Sequence, residues 1–254
     1  MAPHEVIERA LQASDGPALI AFLTAGYPAT ESFLDVLSQV EAASDAVEIG
    51  VPFTDPMADG VTVQRSSHAA IENGVSLRWI LDQLAGRSTA PAAPLLLMSY
   101  LNPLLAFGFD KLAARAREAG VSGFIVPDLP FEEGAPFRAC LEPEGLALVQ
   151  LVTPATPTER LTELCGQSQG FVYAVTRIGI TGGEVDLPTE LTAYLRAVKE
   201  QSSVPVCAGF GVRTREQVAR IARHADGVVV GSALVEVLER GDSPREFLTG
   251  LRPR

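Results

Sequence analysis

The 254-residue chain is 47% apolar and carries a net charge of −11, with two lysines among its 20 basic residues, so it can bury a sizeable core and offers no basic stripe for nucleic acid. Its N-terminus has no basic leader followed by an apolar run, and no apolar stretch approaches the ~20 residues of a membrane span, which points to a cytoplasmic protein with no membrane role. Cys140, Cys165 and Cys207 are odd in number and widely separated, a pattern that fits buried reduced thiols better than disulfides or a zinc site.

In chain order, Val6, Ile7, Ala10 and Leu11 predict a helix over 3–13. The almost wholly apolar run 18–25 suits a parallel strand buried on both faces. Phe33, Leu34, Leu37 and Val40 return to helical rhythm over 30–43. The next strand carries Val47, Ile49 and Val51 on one face and Ala46, Glu48 and Gly50 on the other, because strand side chains alternate. It runs into a proline-stiffened acidic loop with Asp55 and Asp59. Helices follow over 61–73 and 76–85, a third strand over 94–101, a helix over 109–119 and a fourth strand over 122–127 that ends at Asp128. Then come helix 132–141, strand 147–152, helix 158–165 and strand 170–176. After a glycine-rich loop, 177–187, the chain reads as helix 188–201, strand 204–209, helix 214–224, strand 226–230 and closing helices from 233.

Eight strands alternating with helices predict a single (β/α)8 TIM barrel over 1–254, with an extra N-terminal helix. A doubly wound open sheet is the alternative, and it fits less well because no G-x-G-x-x-G follows the first strand. In a barrel the loops after the strands form the working face. Reading those ends gives Thr24, Glu48, Tyr100 with Asn102, Asp128, Tyr173, Gly209-Phe210-Gly211 and Gly231-Ser232.

Glu48 is the candidate acid–base group, since a carboxylate on a buried strand loses solvation and its pKa rises unless it is paired. The same strand could equally set Glu48 at an outward edge beside an ordinary turn. Glycines after strands six, seven and eight, the last followed by Ser232 and a helix, suit a phosphate: backbone can approach an anion there and a helix dipole meets it. The same glycines could simply make turns. Lys111 and Lys199 fall in helices, so no Schiff-base nucleophile reaches a strand end, and His4, His68 and His224 are too scattered for a metal cluster or a histidine triad. Carboxylate chemistry remains.

The stretch Glu48 to Gly60, Pro127-Asp128-Leu129-Pro130, Arg177 to Gly183, Gly209-Phe210-Gly211 and Gly231-Ser232, taken in order, resembles the tryptophan synthase α-subunit family along nearly the whole chain, with conservative changes at Thr54 and Met57. That resemblance implies a carbon–carbon lyase, cleaving indole-3-glycerol phosphate to indole and glyceraldehyde 3-phosphate by a retro-aldol reaction. By resemblance Glu48, Asp59 and Tyr173 would be catalytic, with Glu48 shuttling protons near neutrality and Asp59 staying ionised in a wetter loop to hold the indole N–H. Phe22, Val63, Met98, Asp128, Thr181 and Phe210 would contact substrate, while Gly182, Gly211, Gly231 and Ser232 would cradle its phosphate. Val61-Thr62 and Ala42 to Asp45 depart from the family's commoner turns, which bears on loop dynamics rather than on reaction type.

The resemblance also implies a pyridoxal-phosphate β subunit as partner in an α2β2 complex, met by Pro52, Asp55, Pro56 and Asn102. This chain itself would need neither cofactor nor metal. Rival readings are a free-standing indole-3-glycerol phosphate lyase, a phosphosugar isomerase on the same barrel, and a non-catalytic activator of a β subunit.

Overall fold

The computed structural model describes residues 1–176, 187–209 and 211–253. The expected loop 177–187 therefore falls almost wholly outside the described residues, and Thr181, Gly182 and Phe210 fall outside them too.

Eight parallel strands close on themselves in sequence order: β1 (Ala18–Thr24), β2 (Ala46–Gly50), β3 (Leu95–Met98), β4 (Val121–Ile125), β5 (Ala147–Val152), β6 (Val172–Val175), β7 (Val206–Gly209) and β8 (Gly227–Val230). The seam is the pairing of β1 with β8, where Leu19 stands opposite Val228. The helices are α1 (Pro3–Gln12), α2 (Phe33–Glu41), α3 (Val61–Glu72), α4 (Leu77–Ala85), α5 (Leu101–Phe107), α6 (Phe109–Glu118), α7 (Ala135–Leu141), α8 (Thr158–Gln167), α9 (Thr189–Gln201), α10 (Arg215–Ile221), α11 (Ser232–Glu239) and α12 (Pro244–Leu251). The barrel and its additional N-terminal helix are as the sequence predicts, and no helix among the described residues is long and apolar enough to cross a membrane.

Strand alternation sorts the core into two shells. Ile20, Ala46, Leu96, Ile125, Val149, Cys207 and Val229 form one cluster inside the barrel, and Ile7 and Leu11 of α1 join it. Helix α1 thus closes one end of the barrel and leaves the other for chemistry. Leu19, Leu23, Val47, Ile49, Leu95 and Leu97, one position out of phase, belong to the larger cluster shared with the surrounding helices.

The clearest departure from the sequence reading lies after β3. The strand stops at Met98 instead of running to 101, and α5 begins at Leu101. The backbone N–H of Leu101 donates to Asp128 Oδ1 at 2.8 Å, so an acceptor from the next strand end satisfies one of the four orphan amides of a helix start. Pro103 sits in that first turn, where it forfeits no intrahelical bond. Smaller differences are at ends: the predicted helices 30–43 and 132–141 each open with a 3-10 turn. The three cysteines are free; Cys165 and Cys207 are buried, whereas Cys140 is half-buried and donates to Asp110 Oδ1 at 3.0 Å.

Candidate active site

Strand β2 settles which way Glu48 faces. It pairs with Phe22 of β1 on one side and Leu96 of β3 on the other, and its side chain enters the barrel, 1% exposed. There it lines a cavity of about 330 Å³, within the ~300–1,000 Å³ typical of small-molecule sites. The outward-edge alternative is excluded. Among the described residues, Glu48 Oε2 has no hydrogen-bond partner. Burial, and next the negative charge of Asp59, push the Glu48 carboxyl up to about 8, because a desolvated carboxyl beside another acid holds its proton.

Asp59 lines the same cavity from the loop after β2. Its Oδ2 accepts from the Tyr100 hydroxyl at 3.1 Å, and that hydroxyl accepts from Ala58 N at 2.9 Å. The Tyr100 ring is buried and stacks on Phe53, with centroids 5.1 Å apart. Partial burial raises the Asp59 carboxyl to about 6, against the opposing hydrogen bond from Tyr100. The expected wet loop is therefore half-dry, and Asp59 stays mostly ionised at neutral pH by a margin of about one unit rather than three. The ordering of the two acids, Glu48 above and Asp59 below neutrality, matches the expectation.

Tyr173 on β6 faces the same cavity, and burial drives its hydroxyl well above the ordinary range. Its ring fits because position 209 has no side chain: a Cβ there would lie 2.5 Å from the Tyr173 oxygen. Likewise a Cβ on Gly50 would lie 2.6 Å from Phe22 Cζ, so that glycine lets the Phe22 ring lean across the pocket. Phe22, Val63 and Met98 make one apolar wall. Gly211, Gly231 and Ser232 line the cavity too, with Gly231 next to the Phe22 ring. Gly231 is the N-cap of α11 and Ser232 its first residue, so the positive end of that helix opens at the cavity. The chain is at positive φ (84°) at Gly211, a conformation that favours glycine.

Nine predicted site residues thus meet at one cavity: Phe22, Glu48, Asp59, Val63, Met98, Tyr173, Gly211, Gly231 and Ser232. Asp128 does not line it; its carboxylate is spent on the start of α5. Thr181, Gly182 and Phe210 lie outside the described residues. The sequence reading noted Tyr100 only as a strand end and missed its bond to Asp59, since nothing local shows that residues 41 positions apart meet. A second cavity, about 230 Å³ beside β4 and β5, has Arg138 and Arg160 on its wall, but Arg138 donates to the Phe131 carbonyl and Arg160 pairs with Glu132. A third, about 400 Å³, lies near α1 and the starts of β7 and β8, where Asp226 is bound to Lys199. Neither gathers two free acids.

Among the described residues no group of three His, Cys, Asp or Glu side chains could hold a metal ion. The cavity offers a raised carboxyl, an ionised carboxylate, an apolar wall and the N-terminus of a helix, which suits acid–base chemistry on a flat apolar ring joined to a phosphate.

Comparison with known proteins identifies the family. The family described as "Tryptophan synthase alpha chain" matches residues 9–251. The tryptophan synthase alpha chain of Nitratidesulfovibrio vulgaris (strain DP4) is 43% identical over 241 residues, covering 94% of either chain. That of Desulfovibrio desulfuricans is 44% identical over 243 residues, 94% of this chain and 95% of the relative. Among solved structures, tryptophan synthase subunit alpha from Legionella pneumophila str. Paris superposes with a TM-score of 0.87 at 32% identity, over 99% of this chain and 97% of that one. A chain of tryptophan synthase from M. tuberculosis, in an open form with BRD0059 bound, gives 0.88 at 33% identity, over 99% and 97%. The chain belongs to the tryptophan synthase alpha chain family, lyases of tryptophan biosynthesis with a β-subunit partner.

Proposed function

We propose that the cavity carries out the retro-aldol cleavage of indole-3-glycerol phosphate with Glu48 and Asp59 as its catalytic pair. The supporting observation is that a buried carboxyl near 8 and a half-buried one near 6 line one cavity with an apolar wall. Glu48, protonated at neutral pH, gives its proton to indole C3. The positive charge that appears on the ring nitrogen is met by Asp59 accepting the indole N–H. The glycerol hydroxyl next to the ring then loses its proton to Glu48, the carbon–carbon bond breaks, and its electrons return to the ring as indole leaves. The hydroxyl carbon becomes the aldehyde of glyceraldehyde 3-phosphate, and Glu48 ends protonated as it began. Two groups whose environments separate their pKa values can divide these roles at one pH.

Tyr173 packs against the reacting carbons, and Phe22, Val63 and Met98 hold the ring. Gly211, Gly231 and Ser232 bind the phosphate with backbone amides and the α11 dipole; family resemblance alone assigns Gly182 to the same phosphate and Thr181 and Phe210 to the substrate. No lysine or arginine lines the described cavity wall, so the dianion rests on backbone dipoles. Asp128 acts one step removed, through α5.

The β subunit would dock on the loop after β2 and on α5. Met57 is 84% exposed and Leu105 53%, large apolar side chains on the two segments that Tyr100 bonds together, and Asp55, Pro56 and Asn102 flank them, whereas Pro52, expected on this face, is buried. Pyridoxal phosphate would sit in that partner, in an α2β2 complex, and this chain would work in the cytoplasm as one domain, 1–254, without a cofactor or metal. The test is indole release from indole-3-glycerol phosphate in single-turnover mixing, with and without a β subunit. Release that Glu48→Gln abolishes, and that the partner accelerates, is expected. No indole from the wild-type chain would overturn the reaction, and a rate unchanged by any partner would overturn the subunit reading.

A further inference from the structure

We infer that Tyr100 is a positioning residue whose hydroxyl holds the Asp59 carboxylate toward the substrate ring and ties it to the outward loop at Met57. This rests on the reading that Asp59 meets the charge on the indole ring. The hydroxyl makes two bonds at once: it donates to Asp59 Oδ2 at 3.1 Å and accepts from Ala58 N at 2.9 Å. A phenol that accepts from a backbone amide becomes a better donor on its other side, and here that side faces the carboxylate.

The tyrosine is itself fixed from three directions. Its ring is 3% exposed and stacks on Phe53 at 5.1 Å. The Phe53 backbone N–H donates to Ser67 Oγ on α3 at 2.8 Å. On the far side Tyr100 is the N-cap of α5, and Asp128 secures the next residue by accepting from Leu101 N at 2.8 Å. Asp128 therefore bears on Asp59 through Tyr100, which gives that strand-end acid a role without contact to the cavity. Asp59 also has a backbone tie, with Gln64 Nε2 donating to its carbonyl at 2.8 Å.

Among the described residues the titratable groups facing Asp59 are Glu48 from β2, Tyr173 from β6 and Tyr100 itself, and of these Tyr100 donates a hydrogen bond to its carboxylate. Removing the donor frees the carboxylate to rotate and makes its ionised form less favourable. Because Ala58 shares the same hydroxyl, any partner that presses on Met57 moves the group that aims Asp59.

Tyr100→Phe deletes only the hydroxyl and keeps the ring on Phe53. The Asp59 carboxyl titration is followed by carbon-detected NMR in the wild-type and variant proteins, and kcat and KM for indole release are measured alongside. The variant is expected to titrate Asp59 at higher pH, to lose roughly tenfold or more in kcat with KM within about twofold, and to add nothing further on an Asp59→Asn background, as coupled groups do. An Asp59 titration unmoved by Tyr100→Phe, or full multiplication of the two losses, overturns the proposal. If Asp59→Asn alone retains wild-type kcat, the role of Asp59 fails first, and the NMR titration still decides whether Tyr100 holds it.

Discussion

Glu48→Gln should do two opposite things, and their pH dependence follows from where β2 puts the side chain. The folded-state carboxyl is raised to about 8 from an ordinary 4.5, so between those values the unfolded chain releases a proton that the folded chain keeps. Stability due to this group is therefore undiminished below about pH 4.5 and falls as pH rises, by at most ~1.4 kcal/mol per pH unit, levelling off above pH 8. Between pH 5 and 7.5 the loss sums to about 3 kcal/mol. Glutamine mimics the protonated acid and never ionises, so it removes that slope; any fixed cost of a buried amide is the same at all pH values. Asp59 titrates in both proteins and largely cancels in the difference. Urea unfolding followed by fluorescence of Trp79, the single tryptophan, which packs on Phe33 at 5.4 Å, reports the two stabilities at pH 5, 6, 7 and 8. The variant should gain on wild type by about 3 kcal/mol across this range while indole release drops by ~10²–10⁴. A stability difference that is flat with pH would refute the claim that the Glu48 carboxyl is held protonated by burial.

The profile of kcat/KM should be bell-shaped, falling as pH drops through about 6, where Asp59 loses its charge, and as pH rises through about 8, where Glu48 loses its proton; a plateau running past pH 9.5 would contradict it. Gly50→Ala places a methyl 2.6 Å from Phe22 Cζ, so the ring must swing into the cavity, costing ~1–3 kcal/mol of stability in urea and raising KM for the indole substrate. Glu41→Gln leaves Arg87 without the partner it holds through bonds of 2.5 and 2.8 Å, with the Ala92 amide also on that carboxylate. Calorimetry should show a loss of ~3–5 kcal/mol, with kcat per folded molecule unchanged because α2 does not line the cavity.

The amino-acid sequence by itself determined the count of strands, their alternation with helices and the parity of each strand, because local rhythm and punctuation by glycine and proline are written in consecutive residues. It also put Glu48, Tyr173, Gly211, Gly231 and Ser232 at strand ends, which in this architecture is enough to gather them at one mouth. Parity does not reveal side, however: both faces of a barrel strand are buried, so only closure of the sheet decided that Glu48 looks inward while Val47 and Ile49 look to the helices. The tertiary structure alone decided the rest. Helix α5 occupies the stretch left as a connection between the expected strand 94–101 and helix 109–119, and Asp128, from the next strand end, supplies an acceptor for its first amide. Asp59 is half-dry and gripped by Tyr100 because a loop after β2 folds over the end of β3. Such contacts join residues tens of positions apart, and an acid's solvation depends on what lies across the barrel rather than on its neighbours in the chain.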